Sequence, residues 1–183
     1  MPRPRASRRL IDASVCEVQR PNIGLVGDTG EDAARRLETE VAALLGWIGQ
    51  VDKRTVGQRP GADDWSAVEC LAHTAEFIPF WAAWATDVAA RERTGEPFGR
   101  THDDIERLAA VERGRGEPID ALIARVRSGT ERAAATFRAI PDERWARSGR
   151  HARRGEMTIR EFVDAFVINH VREHAQQARA AIA

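Results

Sequence analysis

The stretch Phe166-Val167-Ile168-Asn169-His170-Val171-Arg172-Glu173-His174 decides how this chain folds. It places two histidines four residues apart in a run with the apolar spacing of an amphipathic helix. Thr158 and Glu161 have the spacing of a capping box, so we expect this helix to begin at Thr158 and to run to the C-terminus. Both imidazoles should therefore point into a helical core. The predicted apolar stripe comprises Ile159, Phe162, Phe166, His170, His174 and Ala178.

Three further amphipathic helices are predicted upstream of this one. They cover about 30–52, 66–93 and 118–140, and the second begins with another capping-box spacing, Ser66-x-x-Glu69. Two polar connections, 94–116 and 141–157, separate the later helices, and no stretch shows convincing strand alternation. Four helices of about 20 residues indicate an all-α fold, a four-helix bundle with long connections. Such long connections need not join adjacent antiparallel helices, so we do not expect a simple up-and-down order.

Composition excludes several classes of protein. The chain has 183 residues with 28 basic and 28 acidic side chains, so no net charge favours nucleic acid or an anionic membrane as a partner. Cys16 and Cys70 are too few for a disulfide framework, which favours a reducing cytoplasm. The twin-arginine-like Ser7–Ile11 is not followed by an apolar run, so we do not expect export or a membrane span. Residues 1–28 are mildly basic and aperiodic, and we predict a mobile, disordered arm ahead of one domain, 29–183.

A third histidine, His73, lies on the apolar stripe of the second helix. Imidazoles buried without partners are costly, so His73, His170 and His174 need either separate hydrogen-bond acceptors or one shared cation. Bundle interiors build metal sites from facing helices, and we favour a metal site of these three histidines over three separately satisfied core residues. Three nitrogen ligands with an open position suit catalysis by Zn²⁺, Ni²⁺ or Fe²⁺, and the sequence does not choose among them. His102 and His151 lie in the polar connections and should be solvated.

The segment from His170 to His174 also matches the H-x-x-E-H motif of one class of zinc protease. Those enzymes need a further acidic ligand well downstream. Only Ala175–Ala183 follow, and none of these residues is acidic. We therefore reject the protease interpretation.

Other polar residues near the histidines have two interpretations each. Glu76 and Glu173 are weak candidates for carboxylates that orient a ligand, and Glu76 is equally well a solvated helix residue. Cys70 is better read as a small core residue than as a thiol near the metal. The arginine-rich stretch 147–154 could hold an anionic cosubstrate, but a solvated loop is the better interpretation. No residue is assigned a catalytic role.

Two motifs resemble a known family. Asp64-Trp65-Ser66-Ala67-Val68-Glu69-Cys70-Leu71-Ala72-His73 resembles the W-S-x-x-E-x-L-x-H signature of the DinB-like/YfiT-like superfamily, which is unrelated to the DNA polymerase that shares the name. Gly155–Glu161, followed by His170 and His174, resembles its last helix. The resemblance implies a metal-binding four-helix bundle over roughly residues 30–183. It also implies that one histidine of the second helix and two of the fourth, here His73, His170 and His174, hold a divalent metal.

Members of this family with an assigned activity include thiol-dependent S-transferases and isomerases that use mycothiol or bacillithiol, and homodimers are common. The resemblance therefore implies a metal-dependent S-transferase or hydrolase in which the ion activates a thiol or a water, with mycothiol as a possible cosubstrate and a small molecule as substrate. The alternative is a non-catalytic, metal-binding stress-response bundle. A third hypothesis, nucleic-acid binding through the basic arm, is the weakest, and we expect neither a nucleic-acid nor a membrane partner.

Overall fold

The computed structural model of the protein describes residues 29–183. The arm predicted over residues 1–28 lies outside the described residues. None of the helices in the described part combines the length and the hydropathy that crossing a membrane requires.

Four long helices form the bundle, as predicted. The helices in chain order are α1 (Thr29–Ile48), α2 (Ala67–Ala90), a shorter α3 (Ile105–Arg115), α4 (Ile119–Ala139), α5 (Ile159–Val163) and α6 (Asn169–Ala180). A π-helical turn, Asp164–Ile168, joins α5 to α6, so these two helices form one continuous fourth rod. Helix α3 lies in the connection between α2 and α4 and packs on α2.

The order of the helices around the bundle is not simple. Helix α1 packs against α4 and α6, and α2 packs against the same two helices. The consecutive helices α1 and α2 therefore lie diagonally across the core, which agrees with the expectation from the long connections. This arrangement makes α2 and α6 direct neighbours, although about 80 residues separate them in the chain.

A small three-stranded sheet caps one side of the bundle, and the sequence did not predict it. Its strands are β1 (Glu96–Phe98), β2 (Ser148–His151) and β3 (Gly155–Thr158). Strand β2 is central, parallel to β1 and antiparallel to β3. The expectation of no strands was wrong because three or four residues are too few to show alternation. The pairing joins the two connections 94–116 and 141–157, which lie far apart in sequence.

Both predicted capping boxes are present. The Ser66 hydroxyl accepts from the backbone N–H of Glu69, and the Glu69 carboxylate accepts from the backbone N–H of Ser66. Thr158 and Glu161 form the same pair at the start of α5. Each box satisfies amide groups that a helix start leaves without partners, and so fixes where the histidine-bearing helix begins.

Glu69 is also the centre of a buried charge network. Its carboxylate accepts hydrogen bonds from Arg59, with the guanidinium Nε at 2.8 Å, and lies 3.3 Å from Nε of Arg115 on α3. Burial of the Glu69 side chain, which is 1% exposed, opposes its ionisation. The hydrogen bonds from Arg59 and Ser66 outweigh this effect and lower the pKa of Glu69 to about 2. Glu69 thus ties the loop before α2, the start of α2 and α3 into one unit.

The π-helical turn shifts the apolar stripe of the last rod by one residue. The backbone N–H of Asn169 bonds to the carbonyl of Asp164, five residues earlier, so the turn holds one residue more than an α-helical turn does. Val167, within the turn, and Val171, just after it, are fully buried, where the predicted stripe had Phe166 and His170. His174 and Ala178 are buried as that stripe predicted. His170 points towards the seam as predicted, because its Nε2 faces His73 and His174, but it lies at the rim, with 30% of its side chain exposed.

Candidate metal centre

The three predicted histidines meet at the seam between α2 and α6. His73 lies on the second turn of α2, and His170 and His174 lie one turn apart on α6. Nε2 of His170 is 3.3 Å from Nε2 of His73 and 3.2 Å from Nε2 of His174. One ligand atom from each residue lies within 4.8 Å of the others. Of the described residues, these three form the group whose side-chain donors converge closely enough to share one ion.

The spacing of the three nitrogens suits a small divalent ion. Nitrogen ligands at roughly 2.0–2.1 Å from a tetrahedral ion lie about 3.3 Å from one another. Two of the three separations match this value, and both involve His170. The donor set, three neutral imidazoles, is one that Zn²⁺, Ni²⁺ and Fe²⁺ all accept.

The other ring nitrogen of each histidine faces an acceptor three residues further along the helix. Nδ1 of His170 is 3.1 Å from a carboxylate oxygen of Glu173, and Nδ1 of His174 is 3.0 Å from the amide oxygen of Gln177. These contacts place the ring proton on Nδ1 and leave the Nε2 lone pair free for a ligand bond.

The third such contact, at His73, is longer. Nδ1 of His73 is 3.5 Å from Glu76, and this buried nitrogen has no hydrogen bond. The same Glu76 oxygen lies 2.5 Å from the guanidinium of Arg100, which draws it away from the imidazole. Arg100 therefore competes with His73 for this carboxylate.

Sequence reasoning named two of these three acceptors. Glu76 and Glu173 were weak candidates, and the structure places each beside the Nδ1 atom of a histidine. Gln177 was missed. Its signal is present in the sequence, because each of the three histidines is followed at the third position by Glu or Gln. Residues three apart share a helix face, so this repeated H-x-x-[E/Q] spacing could have identified all three.

Aromatic side chains enclose the cluster. Trp65 stacks on His174 at a centroid distance of 5.6 Å and meets His73 edge-on at 5.3 Å, while Phe77 lies 5.1 Å from His73 and 4.7 Å from His170. Burial lowers the pKa of His73 to about 4 and lowers the pKa of His174 well below its ordinary value. Both imidazoles are therefore neutral at physiological pH, the state in which they can bind a metal.

The two remaining histidines differ from each other. His102 is exposed, as predicted. His151 was expected to be solvated, but it is buried in β2, 5% exposed, and its Nε2 lies 2.9 Å from the carbonyl oxygen of Arg100. Its Nδ1 faces the backbone N–H groups of Arg153 and Arg154 at 3.3 Å. Because the pairing of β1 with β2 encloses His151, no local sequence signal could have placed it.

Cys70 and the arginine-rich stretch stand apart from the three histidines. Cys70 is 1% exposed, and burial, followed by the charge of Glu69, raises the pKa of its thiol to about 12. It is a core residue, as the better interpretation held. In the arginine-rich stretch, Arg147 donates to the carbonyl of Arg91 and Arg153 contacts His102.

Comparison with known proteins assigns the fold and the family. The sequence profile of the DinB superfamily matches residues 36–178, more than three quarters of the chain. The chain belongs to the DinB superfamily. A comparison with curated protein sequences finds no match.

Two solved structures share the fold of this chain. YfiT from Bacillus subtilis, described as a probable metal-dependent hydrolase with an unusual four-helix bundle topology, superposes with a TM-score of 0.71 at 13% identity, over 88% of this chain and 90% of that one. A mycothiol-dependent maleylpyruvate isomerase superposes with a TM-score of 0.67 at 17% identity, over 84% of this chain and 62% of that one. This chain therefore spans about three fifths of the isomerase. At these identities the likeness establishes the fold.

Proposed function

We propose that His73, His170 and His174 bind one divalent metal ion and that the protein is a metal-dependent enzyme acting on a small molecule. The observation that carries this proposal is the opposed orientation of the two ring nitrogens. The three Nε2 atoms converge, whereas the Nδ1 atoms of His170 and His174 face the acceptors Glu173 and Gln177. Acceptors at Nδ1 leave lone pairs at Nε2, and converging lone pairs repel unless a cation lies between them.

A metal-free alternative explains less. In it, neutral His73, whose Nδ1 has no partner, carries its proton on Nε2 and donates it to Nε2 of His170, which keeps its own proton on Nδ1 beside Glu173. His174, with its proton on Nδ1 beside Gln177, then has an Nε2 lone pair that faces His170 at 3.2 Å with no proton between the two atoms. A divalent ion satisfies all three nitrogens at once.

When bound, such an ion lowers the pKa of a thiol or water in its open position and so provides a nucleophile near neutral pH. The side chains of this chain orient the site and exclude water from it. Trp65 and Phe77 cover the buried side, where His73 and His174 have 2% and 7% exposure. The exposed edge of His170 and the adjacent Glu173 leave access from solvent, and the Glu173 carboxylate is positioned to hold a proton at Nδ1 of His170.

Thiol-dependent S-transfer or hydrolysis is the chemistry that we propose. It is supported by the family assignment and by the structural similarity to a probable metal-dependent hydrolase and to a mycothiol-dependent isomerase. Mycothiol is accordingly the cosubstrate to test first. The non-catalytic, metal-binding bundle remains the second candidate, because an ion here would also tie α2 to α6. The homodimer that the resemblance implies stays a prediction.

Metal titration of the purified, metal-free protein tests the ligand set. We expect one equivalent of Zn²⁺, Ni²⁺ or Fe²⁺ to bind to the wild type and none to bind tightly to His170→Ala. His102→Ala is the matched control, since it removes an exposed histidine outside the cluster, and it should bind like the wild type. Equal binding by all three proteins, or none by the wild type, would refute the proposed site.

A second titration separates an enzyme from a passive metal-binding bundle. Mycothiol is added to protein loaded with Co²⁺, whose visible absorption reports on its ligands. Bonding of the thiol sulfur to the metal should change that absorption at stoichiometric occupancy. An unchanged spectrum with mycothiol and with simpler thiols would favour the non-catalytic alternative.

A further inference from the structure

The guanidinium of Arg107 lies beside the histidine cluster and forms no ion pair with a carboxylate of residues 29–183. It is placed over the Trp65 ring, 5.3 Å from the centroid, and Trp65 in turn contacts both His73 and His174. The side chain is partly buried, and its one hydrogen bond from the guanidinium goes to the backbone carbonyl of His102, at 2.8 Å. Four of its five N–H donors are thus uncommitted among the described residues.

Two neighbouring arginines form ion pairs with carboxylates of the described residues, and Arg107 does not. Arg100 lies 2.5 Å from Glu76 and 3.5 Å from Asp104, and Arg115 contacts both Glu69 and Glu112. No ion pair links Arg107 to an acid in the described part of the chain. Burial, followed by the charge of Arg100, lowers the pKa of Arg107, although the charges of Glu76 and Asp104 act in the opposite direction. A ligand of opposite charge would therefore stabilise this guanidinium.

The charge of Arg107 reaches the metal-binding side chains. Its guanidinium lies over the ring of Trp65, and that ring contacts both His73 and His174. Around the cluster, the carboxylates of Glu76 and Glu173 oppose the guanidinium groups of Arg100 and Arg107. A divalent ion bound to three neutral imidazoles then leaves a positive surplus, so an anion should be favoured there.

We propose that Arg107 binds an anionic group, such as a carboxylate, of the ligand that occupies the histidine cluster. This inference rests on the proposed metal site and adds a class of ligand to it: a thiol or other small molecule that carries a negative group beside its metal-binding atom. A planar guanidinium with free paired donors suits a carboxylate, which it can hold through two parallel hydrogen bonds. Stacking on Trp65 fixes the plane of that guanidinium.

The test compares two thiols of the same length, one with a carboxylate and one with a neutral amide in its place. The Co²⁺-loaded protein is titrated with 3-mercaptopropionate and with 3-mercaptopropionamide, and dissociation constants are taken from the cobalt absorption. Wild type should prefer the carboxylate over the amide by about tenfold, the ratio that a charge-assisted hydrogen bond supports. The preference should fall several-fold in Arg107→Gln, to the part that the metal ion itself contributes, and remain at the wild-type value in Arg113→Gln, which removes an exposed arginine of the same helix. Comparing the ratio between variants cancels the different acidities of the two thiols.

Each outcome bears on one proposal. If the wild type fails to bind Co²⁺, the metal site itself is refuted. If Co²⁺ binds and the carboxylate preference is absent, or survives Arg107→Gln unchanged, the metal site stands and the anion subsite is refuted. Circular dichroism shows whether Arg107→Gln folds, and Arg107→Lys replaces it if it does not. Lysine keeps the charge, so part of the carboxylate preference should remain. A preference as strong as in the wild type would contradict the paired hydrogen bonds.

Discussion

Acid should remove a defined part of the stability of this protein through Glu69. The pKa of its carboxyl is lowered from 4.5 to about 2 in the folded protein. A group whose pKa is lower in the folded state contributes stability above its unfolded pKa and loses it as the pH falls towards the folded value. A difference of about 2.5 in pKa, at about 1.4 kcal/mol for each whole pKa number, gives about 3.5 kcal/mol. This contribution should be complete above pH 5 and mostly absent at pH 2.

Urea unfolding at several pH values measures this contribution. The difference in unfolding free energy between wild type and Glu69→Gln should be about 3.5 kcal/mol at pH 6 and should shrink towards zero near pH 2. Glu161→Gln is the matched control, because Glu161 is the exposed acid of the second capping box and contacts Thr158 rather than an arginine. The Glu161→Gln profile supplies the baseline for removing a capping-box carboxylate without removing an ion pair to arginine. Parallel pH profiles for wild type and Glu69→Gln would refute the assigned role of the Arg59–Glu69 network.

Three further predictions concern the helices. Deleting Ala165 removes the extra residue of the π-helical turn, so the last rod should become continuous α-helix with the two downstream histidines in place and metal stoichiometry unchanged. Inserting an alanine after Asp164 should instead rotate those histidines by about 100° and abolish binding. Loss of metal in both variants would contradict the extra-residue interpretation. Gly114→Ala should destabilise the protein by about 1–3 kcal/mol in thermal unfolding, because the added Cβ would lie 2.3 Å from the Cβ of Ala72. Gly46→Ala is the control: no atom lies within 4 Å of its added Cβ, so it should stabilise the protein by about 0.5–1 kcal/mol. In a Cys16→Ser background, Cys70 should resist iodoacetamide at pH 8 until the protein is unfolded, as mass spectrometry would show, since burial raises its pKa to about 12.

Periodicity and capping made the bundle predictable from the sequence. The boxes at Ser66 and Thr158 fixed the starts of the two helices that carry the histidines, and the apolar stripes placed those histidines on facing surfaces. These signals are local, since each needs fewer than about ten consecutive residues. That is why the helices and the meeting of His73 with His170 and His174 followed from the sequence.

Features that depend on distant contacts were missed. The sheet forms only when residue pairs such as Phe98 and His151, more than 50 positions apart, come into register, and the burial of His151 depends on that pairing. The π-helical turn was missed for another reason. A helical wheel assumes a constant rotation per residue, so it cannot show an extra residue, and it placed Phe166 and His170 where Val167 and Val171 lie.

This shift by one residue explains how the cluster can be both rigid and accessible. If all residues of the present sequence formed one continuous α-helix, His170 would take the position that Val171 now fills, fully buried in the core. A metal bound there would have no route to solvent. With the π-helical turn, Val171 keeps the core intact and His170 moves to the rim, where 30% of its side chain is exposed. His73 and His174 stay buried and hold their geometry through packing on Trp65 and each other. A ligand would therefore have to enter past His170, which makes the side chains along that rim the ones that select it.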